Sequence, residues 1–319
     1  MNRKENGKVD HEGHDEVAGV APSAVLAACL GTGQPAVLVT VAEARGSTPR
    51  EAGAAMIVTT DGIAGTIGGG RFEWEAAARA RALIAAGEAG GEVAIALGPE
   101  IGQCCGGHAV LHLERATPQT LARVTAAEAA ARAARPAVVI FGAGHVGRAL
   151  AVALSPLPFA VRLVDGRAQA FAGFAAADVA TVVTDRMTAE VEAAPPGSAF
   201  VIMTHSHALD AVIALEALTR GDFGYLGVIG SRTKRRRLQS ALRGHGIPAA
   251  TLGRLTCPIG AGPGGGRAIR DKRPAVIAAL TAVELLVVYA RVPASKLRMN
   301  SDSTRAPVSM SAGPAYSSG

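Results

Sequence analysis

One glycine-rich segment, residues 142–147 (GAGHVG), constrains the fold of this chain more than any other feature. It directly follows an apolar run, Ala137 to Phe141, which is typical of a buried strand, and it opens a segment of helical character. In such a motif the first glycine permits a tight turn, the second lets a pyrophosphate approach the backbone, and the third lets helix and strand pack closely. Asp165 ends the next apolar run about 20 residues further on, where an acidic side chain can bind ribose hydroxyls. Together these features predict a Rossmann-type fold.

The glycine segment itself allows two interpretations. In the first it binds a phosphate-bearing ligand, because the start of a helix offers free N–H groups and positive potential. In the second the glycines serve packing only, in a fold that no longer binds a dinucleotide. His145 lies where the ligand would rest, although a first-turn histidine is equally a solvated residue. The candidate contacts are Gly142, Gly144, His145, Gly147 and Asp165.

The pattern of apolar runs divides the chain into two blocks. In residues 137–291, apolar strands alternate with helices, which predicts a parallel sheet covered on both faces. Residues 21–115 contain several strands, with a hairpin turn signal at Asp61-Gly62, and few helices, and they predict a smaller α+β domain. An Ala-rich helix within residues 116–136 would link the two, and residues 1–20 and 292–319 are expected to be disordered tails. The predicted class is therefore α/β, with a C-terminal Rossmann-type sheet and a smaller N-terminal α+β domain.

Composition limits the compartment and the partners. The net charge is +6, but the cations are dispersed apart from one run at residues 232–237, and no aromatic RNA-binding signature accompanies it. We therefore expect no nucleic-acid partner. Residues 1–20 lack an apolar stretch, and the apolar run at residues 275–290 contains Glu284 and is short for a bilayer, so neither a secretory signal nor a membrane span is expected. Four cysteines, two of them adjacent, make no disulfide framework, which favours a cytoplasmic location.

A second unusual segment, residues 102–107 (GQCCGG), places two thiols between glycines. Glycine permits unusual backbone angles and close approach of a bulky ligand, and an exposed thiolate suits a soft metal or sulfur. The alternative is that Cys104 and Cys105 are two small apolar side chains in a tight turn. Because neighbouring side chains in extended backbone point in opposite directions, we expect at most one of them to face a site. Cys29, on an apolar helix, is predicted to lie in the core.

Two further glycine loops, residues 46–50 and 65–70, could cup an anion with backbone amides, and Arg50 would add charge; ordinary turns are the alternative. Thr204 and His205 end a strand, where parallel sheets bind ligands, with His207 and Asp210 close behind. His205 and His207 could coordinate a metal or transfer a proton, and the alternative is that His207 or Asp210 caps the following helix. A zinc-hydrolase motif fails here, since Asp210 is one position late and no histidine follows it.

Another glycine loop, residues 230–234 (GSRTK), follows a strand in the second block. Ser231 is expected to cap a helix. Arg232 and Lys234 then lie in its first turn, where the helix dipole disfavours cations. Cations placed against that preference indicate a bound anion, so we predict a phosphate contact at Ser231 and Arg232.

Taken together, these motifs resemble the XdhC/CoxI family of xanthine dehydrogenase accessory proteins over about residues 21–290. The resemblance to the N-terminal domain of the family rests on residues 40–50 (TVAEARGSTPR), residues 65–70 with Glu73, and residues 102–107. The resemblance to its Rossmann domain rests on residues 140–147, Asp165, Thr204 and His205, Asp210, and residues 230–234. One departure is the start of the last helix, where Pro274-Ala275-Val276-Ile277 stands in place of the usual Pro-Glu-Glu-Ile.

The resemblance implies a maturation factor rather than an enzyme, with a place in purine catabolism. Such a protein binds the molybdenum cofactor (molybdopterin or its dinucleotide form), supports its sulfuration with a cysteine desulfurase, and inserts it into apo-xanthine dehydrogenase or a related molybdenum hydroxylase. The implied cofactor contacts are the 142–147 loop and Cys104, Cys105 and Gly106, with the thiols as molybdenum or sulfur contacts. We also expect a homodimer. Two rival hypotheses are an NAD(P)-dependent oxidoreductase and a thiol-dependent sulfur carrier.

Overall fold

The computed structural model of the chain describes residues 20–97, 107–260 and 271–290. The chain divides into two compact units, Met1–Ala133 (unit 1) and Ala134–Gly319 (unit 2). Cys104, Cys105 and Gly106, most of the glycine-rich 260–270 loop and nearly all of both predicted tails lie outside the described residues.

Unit 1 is built on an antiparallel sheet. Its elements are α1 (Pro22–Thr32), β1 (Ala36–Arg45), β2 (Ala55–Thr59), β3 (Ile63–Gly65), α2 (Gly70–Ala86), β4 (Gly90–Leu97), β5 (Gly107–Arg115) and α3 (Pro118–Ala133). The strands are ordered β3-β2-β1-β5-β4. The central strand β1 is covered on both faces. Val37, Val39 and Val41 pack in the cluster that contains α2, whereas Ala36 and Leu38 pack in the cluster that contains α1.

The helix predicted to link the two blocks, α3, packs within unit 1. The side chain of Glu128 on α3 accepts hydrogen bonds from the backbone N–H of Ser23 (2.9 Å) and from its hydroxyl (2.5 Å) at the start of α1. Leu121 and Val124 of α3 pack against the apolar cluster around Leu26. This helix therefore covers one face of the small sheet.

Unit 2 is built on a parallel sheet. Its elements are β6 (Ala137–Phe141), α4 (His145–Leu154), β7 (Ala160–Asp165), β8 (Val179–Val183), α5 (Met187–Ala193), β9 (Ala199–Ile202), α6 (His207–Arg220), β10 (Tyr225–Val228), α7 (Arg232–Gly244), α8 (Ala249–Gly253), β11 (Leu255–Thr256) and α9 (Pro274–Ala290). Every pairing between these strands is parallel. Two buried clusters, one on each face, pack the helices against the sheet.

The strand order of unit 2 is that of a dinucleotide-binding fold. In space the strands run β8-β7-β6-β9-β10-β11, which is the Rossmann order 3-2-1-4-5-6. The chain builds outward from β6 in one direction, then returns to β9 and builds in the other. The carboxyl ends of β6 and β9 therefore flank the crevice where such sheets bind ligands. The predicted fold class is confirmed.

Several element predictions are also confirmed. Asp61 and Gly62 lie in the turn between β2 and β3, whose strands pair antiparallel. Cys29 is 3% exposed in the core. The apolar run at the end of the second block is helix α9, and its Glu284 accepts a hydrogen bond from the buried Tyr225 hydroxyl at 2.8 Å. None of the helices in the described residues is long and apolar enough to cross a membrane.

Candidate functional site

The candidate site lies at the carboxyl edge of the parallel sheet. The glycine loop follows β6, Asp165 ends β7, His205 follows β9, and Ser231 and Arg232 follow β10. Because these strands are neighbours and parallel, the structure brings these predicted residues to one edge of unit 2. Arg50 lies in unit 1, in an exposed loop after β1.

The three glycines of the loop differ in what they do. Gly142 has a φ of 109°, and a Cβ there would lie 2.4 Å from the carbonyl oxygen of Met203. A Cβ on Gly147 would lie 1.9 Å from the carbonyl oxygen of Gly142. These two glycines are therefore required by the packing of the loop. Gly144 is exposed and a Cβ there would meet no atom within 4 Å, so its missing side chain leaves open space at the loop surface.

The start of α4 is open to an anion. Gly144 is its N-cap residue, so no side chain caps the helix, and no acidic residue lies in its first turn. The first N–H groups of a helix have no partner within the helix and carry positive potential. His145, the first residue of α4, is exposed. The arrangement suits a phosphate group that lies against the backbone at Gly144.

The carboxylate of Asp165 is fully occupied by the protein. One oxygen accepts the backbone N–H of Ala143 (2.8 Å) and Nη2 of Arg167 (2.9 Å), and the other accepts the backbone N–H (3.0 Å) and Nε (2.9 Å) of Arg167. An ionised carboxylate has about four lone-pair positions, so all are used. Burial would raise the pKa of Asp165, but the hydrogen bonds from Arg167 and Ala143 lower it to about 2. Asp165 therefore holds the glycine loop in place and has no free position for a ribose hydroxyl.

A second buried carboxylate, Asp210, joins the loops after β9 and β10. One of its oxygens accepts the backbone N–H (3.1 Å) and hydroxyl (2.7 Å) of Thr204, and the other accepts Nζ of Lys234 at 2.5 Å. Asp210 is fully buried. The interpretation that His207 or Asp210 caps α6 is wrong, because Ser206 is the N-cap and accepts the N–H of Leu209.

The loop after β9 leaves its histidines in solvent. His205 is exposed, and the side chain of His207 is 86% exposed, with its Nδ1 4.0 Å from an oxygen of Asp210. Within the described residues, no three His, Cys, Asp or Glu side chains are grouped so as to hold a metal ion. These histidines can therefore meet a ligand from outside, but they do not form a metal site with their neighbours.

At the start of α7, the predicted helix cap is confirmed, whereas the predicted phosphate contact loses one of its supporting cations. Ser231 is the N-cap residue, and its hydroxyl accepts the N–H of Lys234 at 3.2 Å, as predicted. Arg232 is exposed. The anion paired with Lys234, however, is the carboxylate of Asp210, so this lysine gives no indication of a bound phosphate.

The glycine loops of unit 1 contact each other. A Cβ on Gly68 would lie 2.3 Å from Cβ of Pro49, and one on Gly107 would lie 2.3 Å from the carbonyl oxygen of Ser47. The 65–70 turn does enclose an anion, but this is the protein's own Glu73. Its carboxylate accepts the Thr66 hydroxyl (2.6 Å) and the N–H groups of Ile67 (2.9 Å) and Gly69 (3.1 Å).

The described cysteines are structural. Cys29 and Cys257 are both buried, and burial raises the pKa of both thiols, so neither is a ready nucleophile. The predicted contacts at Cys104, Cys105 and Gly106 lie outside the described residues and remain predictions.

Two contacts that shape the site were missed from the sequence. Arg167 forms an ion pair with Asp165, the acid that ends β7, and Lys234 forms an ion pair with Asp210. The Asp-x-Arg spacing of Asp165 and Arg167 was a visible signal for the first contact. For the second, 24 residues separate the partners, and no local pattern joins them.

Comparison with known proteins agrees with this architecture. A family model described as the XdhC Rossmann domain matches residues 138–285, and one described as the XdhC and CoxI family matches residues 29–95. The uncharacterized protein YqeB of Escherichia coli (strain K12) is 27% identical over 233 residues, and the match spans 71% of this chain but only 39% of YqeB. A crystal structure described as a xanthine dehydrogenase from Bacillus halodurans has a TM-score of 0.70 at 20% identity, covering 87% of this chain and 100% of that one. At that identity the likeness shows the fold.

Proposed function

The chain belongs to the XdhC and CoxI family, and on that premise we propose that it binds the molybdenum cofactor as cargo at the start of α4 and delivers it to a xanthine dehydrogenase-type enzyme. The observation that carries the proposal is the open loop at Gly144. Two other loops, residues 65–70 and the loop after β9, are filled by the carboxylates of Glu73 and Asp210, and within the glycine loop Asp165 occupies only the N–H of Ala143. The start of α4 has no such acid.

The cargo's phosphate group explains why this opening suits it. A phosphate monoester is a compact anion, and the N–H groups and positive potential at a helix start bind such a group without a lysine or arginine. The bare backbone at Gly144 permits close approach, and the exposed His145 is placed to donate a hydrogen bond to the same guest. When bound, the cofactor supplies a dithiolene-held molybdenum; the residues of this chain hold and orient its phosphate end.

A nicotinamide dinucleotide is the second candidate, because the strand order and the glycine spacing are those of NAD-binding domains. Such domains bind the adenine ribose through a free acid at the end of the second strand. In this chain that acid is Asp165, and its four acceptor positions are already used. Binding the ribose there would require breaking either the ion pair with Arg167 or the hydrogen bond from Ala143 that holds the glycine loop, which disfavours NAD(P).

The proposal also includes the sulfuration of the bound cofactor and its delivery to a client enzyme. A cargo that receives a terminal sulfur needs a cysteine desulfurase as donor and a client apo-enzyme as acceptor. Family membership supports a client of the xanthine dehydrogenase type. Cys104 or Cys105 is proposed as a soft thiolate contact for the molybdenum or its sulfur.

Gly144→Ala tests the cofactor site without disturbing the fold. The full chain is co-expressed with cofactor-synthesis enzymes in molybdate-supplied cells, and molybdenum and pterin are measured on the purified protein. We expect near-stoichiometric loading for the wild type and about a tenfold loss of affinity for Gly144→Ala, because the methyl group occupies the approach to the amides. Gly31→Ala is the matched control, since a Cβ there also meets nothing within 4 Å. Both variants should melt at the wild-type temperature.

A titration with NADH and NADPH, followed by nicotinamide fluorescence, separates the two candidates. We expect no saturable change. Equal pterin loading of wild type and Gly144→Ala, or no pterin above background, would contradict the proposed site. A saturable nicotinamide signal that Gly144→Ala abolishes would replace the cargo function with the dinucleotide one.

A further inference from the structure

A groove of about 420 Å³ lies between α6 and α7, and no residue of the 142–147 loop lines it. Its apolar wall consists of Ala208 and Ala211 from α6 and Leu238 and Ala241 from α7. Arg237 gives the groove a charged rim, whereas Lys234 also lines it but is paired with Asp210; the polar side chains that line it are those of His207, Ser231 and Thr233. Val212, one turn beyond Ala208, is 51% exposed and extends the apolar strip outside the groove. An exposed apolar strip beside arginines resembles the centre and rim of a protein interface.

The outer face of α7 carries uncompensated positive charge. The helix contains six basic residues and no acidic one. Lys234 is paired with Asp210, whereas the others have no carboxylate within 4.0 Å in the part of the chain that the structure describes: Arg232, Arg235, Arg236, Arg237 and Arg243. Elsewhere in unit 2, Arg162 pairs with Glu190 and Arg220 with Asp222.

This charge pattern opposes the stability of α7 itself. Arg232 and Arg236 are four residues apart, where like charges repel, and Arg232 lies in the first turn, where the dipole disfavours a cation. The packing of α7 does not require arginine at positions 236 and 237, since both side chains are exposed. A partner that brings carboxylates to this face relieves the repulsion, so the free energy of binding includes a stabilisation that the isolated chain lacks.

We infer that the α6–α7 groove and the basic face of α7 dock an acidic amphipathic segment of a partner protein. Apolar side chains of the segment fill the strip along Ala208, Ala211 and Leu238, and its carboxylates reach Arg236 and Arg237. A nucleic acid matches the charge but not the apolar wall, and no Phe, Tyr or Trp is among the exposed large apolar residues described in unit 2 to stack on bases. The groove reaches the carboxyl edge of the sheet at His207 and Ser231, but it includes no residue of the 142–147 loop, so the inference does not depend on the proposed function.

Selection from a random-peptide display library on the full chain tests this inference without assuming a partner. Enrichment is compared between the wild type and Arg237→Glu. Enriched peptides should carry Asp or Glu with apolar residues at helical spacing. A synthetic enriched peptide, measured by fluorescence anisotropy, should bind at least about tenfold more weakly to Arg237→Glu and to Ala211→Glu, which places a carboxylate in the groove.

Arg186→Glu is the matched control, since Arg186 is exposed in the same unit, beyond β8 at the other end of the sheet, and the change in net charge is identical. This variant should keep wild-type affinity. Circular dichroism verifies that all three variants fold. The inference is overturned by the absence of wild-type-specific enrichment, by enriched peptides without acidic residues, by equal losses in Arg186→Glu, or by a duplex DNA that binds this face more tightly than the peptide.

Discussion

Replacing Asp165 by Asn should destabilise unit 2 by an amount that depends on pH. The pKa of Asp165 falls from its ordinary 3.8 to about 2 in the folded protein. Since one pKa unit corresponds to about 1.4 kcal/mol, the ionised carboxylate contributes about 2.5 kcal/mol to the free energy of unfolding. Asn keeps the shape but loses the charge, and its amide faces N–H donors from Ala143 and Arg167. The variant should therefore lose at least this amount at neutral pH.

The sign of the pH dependence follows from the lowered pKa. A carboxyl group whose pKa is lower in the folded state stabilises the protein fully above about pH 5, and the contribution disappears as the pH falls through about 4 to 2. About half of it, roughly 1.3 kcal/mol, should remain at about pH 3. The Asn variant lacks this titration, so the difference between the two proteins isolates Asp165.

Urea unfolding followed by circular dichroism, repeated from neutral to acid pH, measures the difference. Asp178→Asn is the control, because Asp178 pairs with Arg135 at 3.4 Å on the surface and its side chain is 47% exposed. Such a pair is worth about 0–1 kcal/mol, and its removal should change little. A stability difference for Asp165→Asn that stays constant down to about pH 3, or that is below about 0.5 kcal/mol, would refute the assigned role of the carboxylate.

Three further substitutions test packing and buried charge by the same unfolding assay. Gly142→Ala should cost more than about 2 kcal/mol, because its Cβ would lie 2.4 Å from the carbonyl oxygen of Met203 at a φ of 109°; an unchanged midpoint would show that the loop relaxes. Lys234→Met should cost about 3 kcal/mol by leaving the carboxylate of Asp210 buried and unpaired, and adding Asp210→Asn should recover part of that loss; strict additivity would contradict the pairing. Glu73→Ala should cost about 2 kcal/mol through the loss of three hydrogen bonds in unit 1; a loss below about 0.5 kcal/mol would mean that water replaces the carboxylate.

The overall fold could be predicted because its signals are local. The apolar strand before Gly142, the glycine spacing and the acid that ends β7 all lie within one βαβ segment. The shortest elements carry no such signal: α5 spans seven residues, α8 five and β11 two, too few for a periodic pattern to emerge.

The occupancy of the candidate site could not be predicted, because it depends on contacts between loops. The sequence places an acid at residue 165, but whether its oxygens are free depends on the Arg167 side chain and on the distance to the Ala143 amide. In the same way, the position of Lys234 indicated a bound anion, and only the pairing of the neighbouring strands β9 and β10 shows that the carboxylate of Asp210 neutralises this lysine.

The two buried aspartates divide the carboxyl edge of unit 2 into halves. Hydrogen bonds to Asp165 join the loop after β6 to the loop after β7. Hydrogen bonds to Asp210, on α6, join the loop after β9 to the first turn of α7. In the described structure, no ion pair or buried carboxylate joins the loop after β6 to the loop after β9, although these two loops flank the crevice. The contact between the two halves is instead uncharged, because Gly142 packs against the backbone of Met203 and the Met203 N–H donates to the carbonyl oxygen of Phe141 at 2.9 Å. The position of the glycine loop relative to β9 therefore depends on close backbone packing and is insensitive to pH.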